Sequence, residues 1–136
     1  MRRIVLDTNC LLMTLPSKSR YHRIWTEILD GQIELCVSTE ILNEYEEILS
    51  QHSSSELAQS VIQALLNRPS VIKVTPTFFF NLIVADPDDN KFVDCAICGT
   101  AELIVTNDAH FNVLKAIEFP VVDVKSIQEF VVELES

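Results

Sequence analysis

Two short runs, one near each end of the chain, stop in the same way. Ile4-Val5-Leu6 is followed by Asp7-Thr8-Asn9, and Leu103-Ile104-Val105 by Thr106-Asn107-Asp108. Each is an apolar, β-rich triplet halted by a polar one, the pattern of a buried central strand. Strand and helix patterns alternate along the whole sequence. That alternation calls for a parallel sheet with helices on both faces. In a parallel sheet all strand carboxyl ends share one edge, and sites collect there. Asp7 and Asp108 are therefore expected on the same edge, close enough to meet.

The remaining segments fill in a three-layer α/β/α unit with about four to five strands. Residues 10–15 form an apolar turn or short helix, closed by Pro16 and Ser17. Tyr21, Ile24, Trp25, Ile28 and Leu29 fall at helical spacing, and Gly31 is placed to stop that helix. A second strand is expected over 33–37, and Ser38 caps an amphipathic helix running to Leu49. Ser53 and Glu56 have capping-box spacing ahead of a helix that ends at Arg68-Pro69. A third strand is expected over 71–74. Residues 75–88 follow neither period. Asp88 or Asp89 can cap the next helix, whose apolar face is Phe92, Val93, Ala96 and Ile97. A short helix over 111–117, a last strand over 120–124 and a terminal helix capped by Ser126 complete the chain.

The length of 136 residues fits one domain, spanning 1–136, with a core that needs no staples. With two glycines there is no flexible linker to divide it. Cys10, Cys36, Cys95 and Cys98 lie inside apolar or periodic segments, and no signal peptide is read at the start. Reduced, buried thiols in a cytoplasmic protein are expected. Cys95-x-x-Cys98 has no second pair to complete four zinc ligands. No apolar run is long enough to span a membrane. The net charge of −10 argues against a protein that grips nucleic acid by its overall field. It does not argue against an enzyme whose carboxylates hold cations.

Asp89 at a helix start lies on the same sheet edge as Asp7 and Asp108. Glu44, two turns into the helix after the second strand, can lean inward beside Leu42 and Tyr45. Two like charges about 4 Å apart cost roughly 4 kcal/mol at an effective dielectric of about 20, so such a cluster needs protons or cations. All-oxygen ligands suit Mg²⁺ or Mn²⁺, which polarise a phosphate and activate water without a protein nucleophile.

Four pieces together resemble a known family. They are Val5-Leu6-Asp7-Thr8-Asn9, the 38–45 segment ending in Glu44-Tyr45, Asp86-Pro87-Asp88-Asp89-Asn90-Lys91-Phe92, and the 104–111 segment Ile-Val-Thr-Asn-Asp-Ala-His-Phe. In this order and spacing the chain resembles the PIN-domain ribonucleases, in particular the toxin-like (VapC-like) proteins of bacterial toxin–antitoxin systems. The resemblance implies a metal site of Asp7, Glu44, Asp89 and Asp108, with Asn9 and Thr106 as supporting groups. It also implies Mg²⁺ or Mn²⁺, cleavage of an RNA substrate, an antitoxin partner and a homodimer. The third acid falls among Asp86, Asp88, Asp89 and Asp94, and the family pattern favours Asp89.

Plainer roles stand beside these. Asp7 and Asp108 can cap the turns that follow them, and Glu44 can belong to a solvated face with Glu40, Glu46 and Glu47. His110 can touch substrate or sit on a loop, and Lys18, Arg20 and Arg23 can contact phosphate or only water. One or two of Phe78, Phe79 and Phe80 are expected in the core. A PIN-like fold that binds a partner, with a vestigial metal site, is the alternative reading. Phosphoryl transfer through a covalent aspartate is a third, disfavoured because no second aspartate follows Asp7 by two residues and no lysine is expected to end the fourth or fifth strand.

Overall fold

The computed structural model describes residues 2–136. Strands β1 (Arg2–Leu6), β2 (Ile33–Val37), β3 (Val71–Lys73), β4 (Leu103–Val105) and β5 (Asp123–Lys125) form one parallel sheet in the order β3-β2-β1-β4-β5. Helices α1 (Thr8–Thr14), α2 (His22–Leu29), α3 (Thr39–His52), α4 (Ser55–Leu66), α5 (Asn90–Cys98) and α6 (Ile127–Glu135) flank it in the expected three-layer α/β/α arrangement. Ile4, Val5 and Leu6, Leu35, Cys36 and Val37, and Leu103, Ile104 and Val105 are all buried. Central strands covered on both faces read as continuous apolar runs, which is why these triplets stand out in the sequence. The edge strands β3 and β5 are only partly buried.

The strand order grows outward from β1 in both directions, so the chain reverses its winding beside β1. Such a reversal opens a crevice at the strand carboxyl ends. Leu6 sits opposite Val105, so Asp7 and Thr106 emerge side by side at that crevice. Tyr45 secures the floor beneath them. Its ring is fully buried, and its hydroxyl donates to the Leu6 carbonyl at 2.6 Å. Tyr45→Phe leaves that carbonyl without this donor, and a loss of about 1–2 kcal/mol is expected. A urea titration checks it: the midpoint should fall with no change in slope.

Local details depart from the sequence expectations in instructive ways. Ser54, not Ser53, caps α4, accepting from Leu57 N–H, while Ser53 ends α3. Asp86 caps a 3₁₀ turn over Pro87–Asp89 that precedes α5, accepting from Asp88 N–H. Asp89 stands at the start of α5 but makes no side-chain cap. The segment after β4 is a 3₁₀ run, Ala109–Ala116, capped by Asp108, and β5 begins only at Asp123. Ser126 and Glu129 form a full capping box on α6.

The phenylalanine expectation is corrected. Phe78 and Phe79 are about two-thirds exposed, and Phe80 is half-buried. The cause lies in α5. Asp94 Oδ1 accepts from Phe80 N–H at 3.0 Å, and the Asn90 amide brackets Ile83, bonding both its N–H and its C=O at 2.8 Å. Those side chains pin an irregular stretch so that Ile83, rather than a phenylalanine, enters the core. A second correction concerns β5, which does end in a lysine, Lys125. Its ammonium pairs with Glu133 on α6 rather than with Asp7, so it gives no support to a covalent aspartate. Among the described residues no helix is long and apolar enough to cross a membrane.

Candidate metal centre

Asp7 follows β1 directly and is buried. Although it precedes α1, its carboxylate does not cap that helix. Instead its Oδ2 accepts from the Thr106 hydroxyl at 2.7 Å. The same Thr106 oxygen accepts from Asp108 N–H at 3.0 Å. One buried hydroxyl on β4's exit therefore orients both aspartates. Burial pushes the Asp7 carboxyl above its ordinary pKa; the Thr106 bond opposes this, and the nearby charges of Asp108 and Glu44 add to the rise.

Asp89 enters from α5. Its Oδ2 is buried and has no hydrogen-bond partner among the described residues. Burial, then the charges of Asp86, Asp108 and Asp7, push its carboxyl up to about 7, with His110 pulling the other way. His110 lies at the solvent rim, with Nδ1 3.4 Å from Asp108 Oδ1, 3.8 Å from Asp89 Oδ2 and 4.0 Å from Asp86 Oδ2. Asp86, Asp89 and His110 each offer one ligand atom, all within 4.8 Å of one another.

Glu44 reaches the pocket from α3, whereas Glu40, Glu46 and Glu47 are solvated. It is bound on both oxygens. Oε2 accepts from the Thr8 hydroxyl, and Oε1 lies 2.6 Å from Lys91 Nζ. Lys91 also pairs with Asp88 at 2.9 Å. Burial works against the Lys91 charge, but the contacts to Glu44 and Asp88 outweigh it and hold its pKa above the usual lysine value.

The four competing aspartates are thus separated by what each already holds. Asp94 is buried on Phe80 N–H, Asp88 is exposed and paired with Lys91, and Asp86 caps the 3₁₀ turn through Oδ1 while its Oδ2 faces His110. Asp89 alone has an unanswered buried oxygen. Asn9 is exposed, and its side chain makes no hydrogen bond among the described residues. Two polar residues without an assigned role in the sequence reading, Thr8 and Lys91, hold Glu44 instead; Lys91 was visible only as part of the Asp-Asp-Asn-Lys run.

An unpartnered buried carboxylate oxygen beside two further carboxylates is stabilised by a cation, and an all-oxygen pocket with one imidazole at its rim suits Mg²⁺ or Mn²⁺. The donor set therefore fits a divalent ion. Outside the pocket three thiols, Cys10, Cys36 and Cys95, are buried as expected, with burial pushing them up to about 12, 11 and 12 respectively, whereas Cys98 is only partly buried. The N-terminal arginines form ion pairs within the chain, Arg2 with Glu102 and Glu133, Arg3 with Glu34, Arg20 with Glu135 and Arg23 with Glu27, whereas Lys18 forms none among the described residues.

Comparison with known proteins agrees with this architecture. The chain is similar in fold to VapBC2 from Rickettsia felis bound to a promoter DNA fragment, at 19% identity and TM-score 0.63, covering 91% of this chain and 98% of that one. It is similar to DNA-bound VapBC from Salmonella typhimurium, at 18% identity and TM-score 0.63, over 93% and 99% of the two chains. It is also similar to the RRP44 PIN domain of T. brucei, at 11% identity and TM-score 0.54, over 98% and 82%. No curated protein matches it by sequence. The family model described as PIN domain matches residues 3–110, the span that runs from β1 through every acidic residue of the pocket, and the chain belongs to the PIN-domain family.

Proposed function

We propose that the chain is a divalent-metal-dependent endoribonuclease and the toxin of a toxin–antitoxin pair, acting as one PIN unit, as a homodimer, in the cytoplasm. The observation that carries this reading is the buried, unpartnered Asp89 oxygen beside Asp7 and Asp108 at the crevice of a PIN fold. Asp7, Asp89 and Asp108 would hold Mg²⁺ or Mn²⁺, with Glu44 closing the acidic set from α3. A divalent ion there supplies polarisation of the phosphate and activation of the attacking water. Thr106 fixes the Asp7 carboxylate and the Asp108 backbone in place before substrate arrives, and Thr8 fixes Glu44. Asn9, exposed at the mouth, is free to meet the substrate strand.

With its N-terminal arginines in internal ion pairs, the protein has little positive surface to draw RNA in. Phosphate contact is then concentrated at the metal, and binding should be weak without it. The solved complexes that share the fold are toxin–antitoxin pairs in VapBC, which supports an antitoxin partner for this chain. The exposed Phe78 and Phe79 favour partner binding as a second role.

The test is cleavage of a single-stranded RNA in Mn²⁺ and in EDTA. Internal cuts in Mn²⁺ that cease in EDTA are expected. Calorimetric titration with Mn²⁺ should show binding and a raised Tm. No cleavage and no metal binding would leave only the partner-binding role.

A further inference from the structure

Lys91 is the second residue of α5, and its side chain is only 10% exposed. Its ammonium is met by three oxygens: Glu44 Oε1 at 2.6 Å, Asp88 Oδ2 at 2.9 Å and the Asp88 carbonyl at 3.1 Å. Three donors thus find three acceptors, two of them carboxylates brought from separate elements. The other Glu44 oxygen is held by Thr8, the neighbour of Asp7, so this cluster adjoins the pocket of Asp7, Asp89 and Asp108. Two carboxylates and a carbonyl are also a donor set that a hard divalent ion accepts.

We propose that the Lys91 ammonium is a built-in cation occupying the place of a second divalent ion, so that the centre binds one ion per chain instead of two. The proposal rests on the metal-centre reading above for that single ion. Two-metal nucleases set their ions about 3.5–4 Å apart, each neutralising part of a shared carboxylate cluster. Here Glu44 is already neutralised by an ammonium tethered to the fold. A lysine cannot dissociate, so half of the cluster's compensation is independent of metal concentration. Lys91 is a positioning residue on this account: it holds Glu44 and touches no reacting atom.

The experiment is the stoichiometry of Mn²⁺ binding to the metal-stripped full chain, read by calorimetry and by the electron paramagnetic resonance signal of free Mn²⁺. Wild type should bind one ion. Lys91→Ala opens the space and leaves Glu44 and Asp88 unpaired, and should bind two. Lys91→Arg keeps a cation there and should remain at one. Two ions on wild type, or one on Lys91→Ala, overturns the proposal while leaving the nuclease reading standing. No ion on wild type overturns the metal centre itself, and this proposal with it. The wild-type count decides between one ion and two even where a variant folds poorly.

Discussion

Asp7→Asn should lose at least about a thousandfold in RNA cleavage while its metal-free form melts no lower than wild type. The two halves have separate causes. Asp7 is buried at the end of β1 with its charge directed toward the pocket. Removing one anionic ligand weakens the hold on the ion and its positioning, and a thousandfold loss corresponds to about 4 kcal/mol of transition-state stabilisation. The fold has no such need of the charge. Burial and the neighbouring Asp108 and Glu44 carboxylates all work against an ionised Asp7. A neutral isostere relieves that, and its amide oxygen can still accept from the Thr106 hydroxyl that now bonds Oδ2. Cleavage rates in Mn²⁺ and thermal unfolding in EDTA, taken on the same preparations, test both. Equal cleavage by the variant removes Asp7 from the reaction. A sharp loss of stability would make it a structural aspartate instead.

The pairing of Asp7 with Asp108 is legible in the sequence for a simple reason. Both follow apolar triplets, and a parallel sheet obliges such endings to share an edge. Adjacency then came from the strand order, with β1 beside β4. The choice among Asp86, Asp88, Asp89 and Asp94 has no such rule. Four aspartates in and before one helix look alike until their partners are visible, and those partners are the Phe80 N–H for Asp94, the Asp88 N–H for Asp86 and Lys91 for Asp88. The same stretch misled the reading of the phenylalanines, because alternation assumes a strand and this segment is held by the side chains of Asp94 and Asn90. Thr8 and Lys91 were hidden for a different reason. Each acts on Glu44, which comes from another element, and no local spacing records a contact between α1, α3 and α5.

Metal-free Asp89→Asn should be more stable than wild type at pH 8, by about 2 kcal/mol, and the two should converge near pH 4. The Asp89 carboxyl is pushed up to about 7 in the folded protein, against an ordinary value of 3.8. Below pH 4 it is protonated in both folded and unfolded chains and costs nothing. Between about pH 4 and 7 the unfolded chain gives up this proton while the folded one keeps it, so wild type loses stability as pH rises, and the loss levels off above the folded value. A gap of about three pH units is worth about 4 kcal/mol in full. The side chain is 14% exposed and its charge is shared with neighbours, which reduces the expected effect to roughly half. Asparagine carries no proton to lose, so its profile lacks this slope. Urea unfolding in EDTA at intervals from pH 4.5 to 8 measures it, and parallel profiles would mean that Asp89 is not strained by its neighbours. Saturating Mn²⁺ at pH 8 should then reverse the ranking: an ion that binds only the folded wild type adds stability by mass action, about 2.7 kcal/mol at a hundredfold excess over Kd, and the variant gains little of it. The site thus stores, in the absence of metal, the repulsion that makes metal binding favourable.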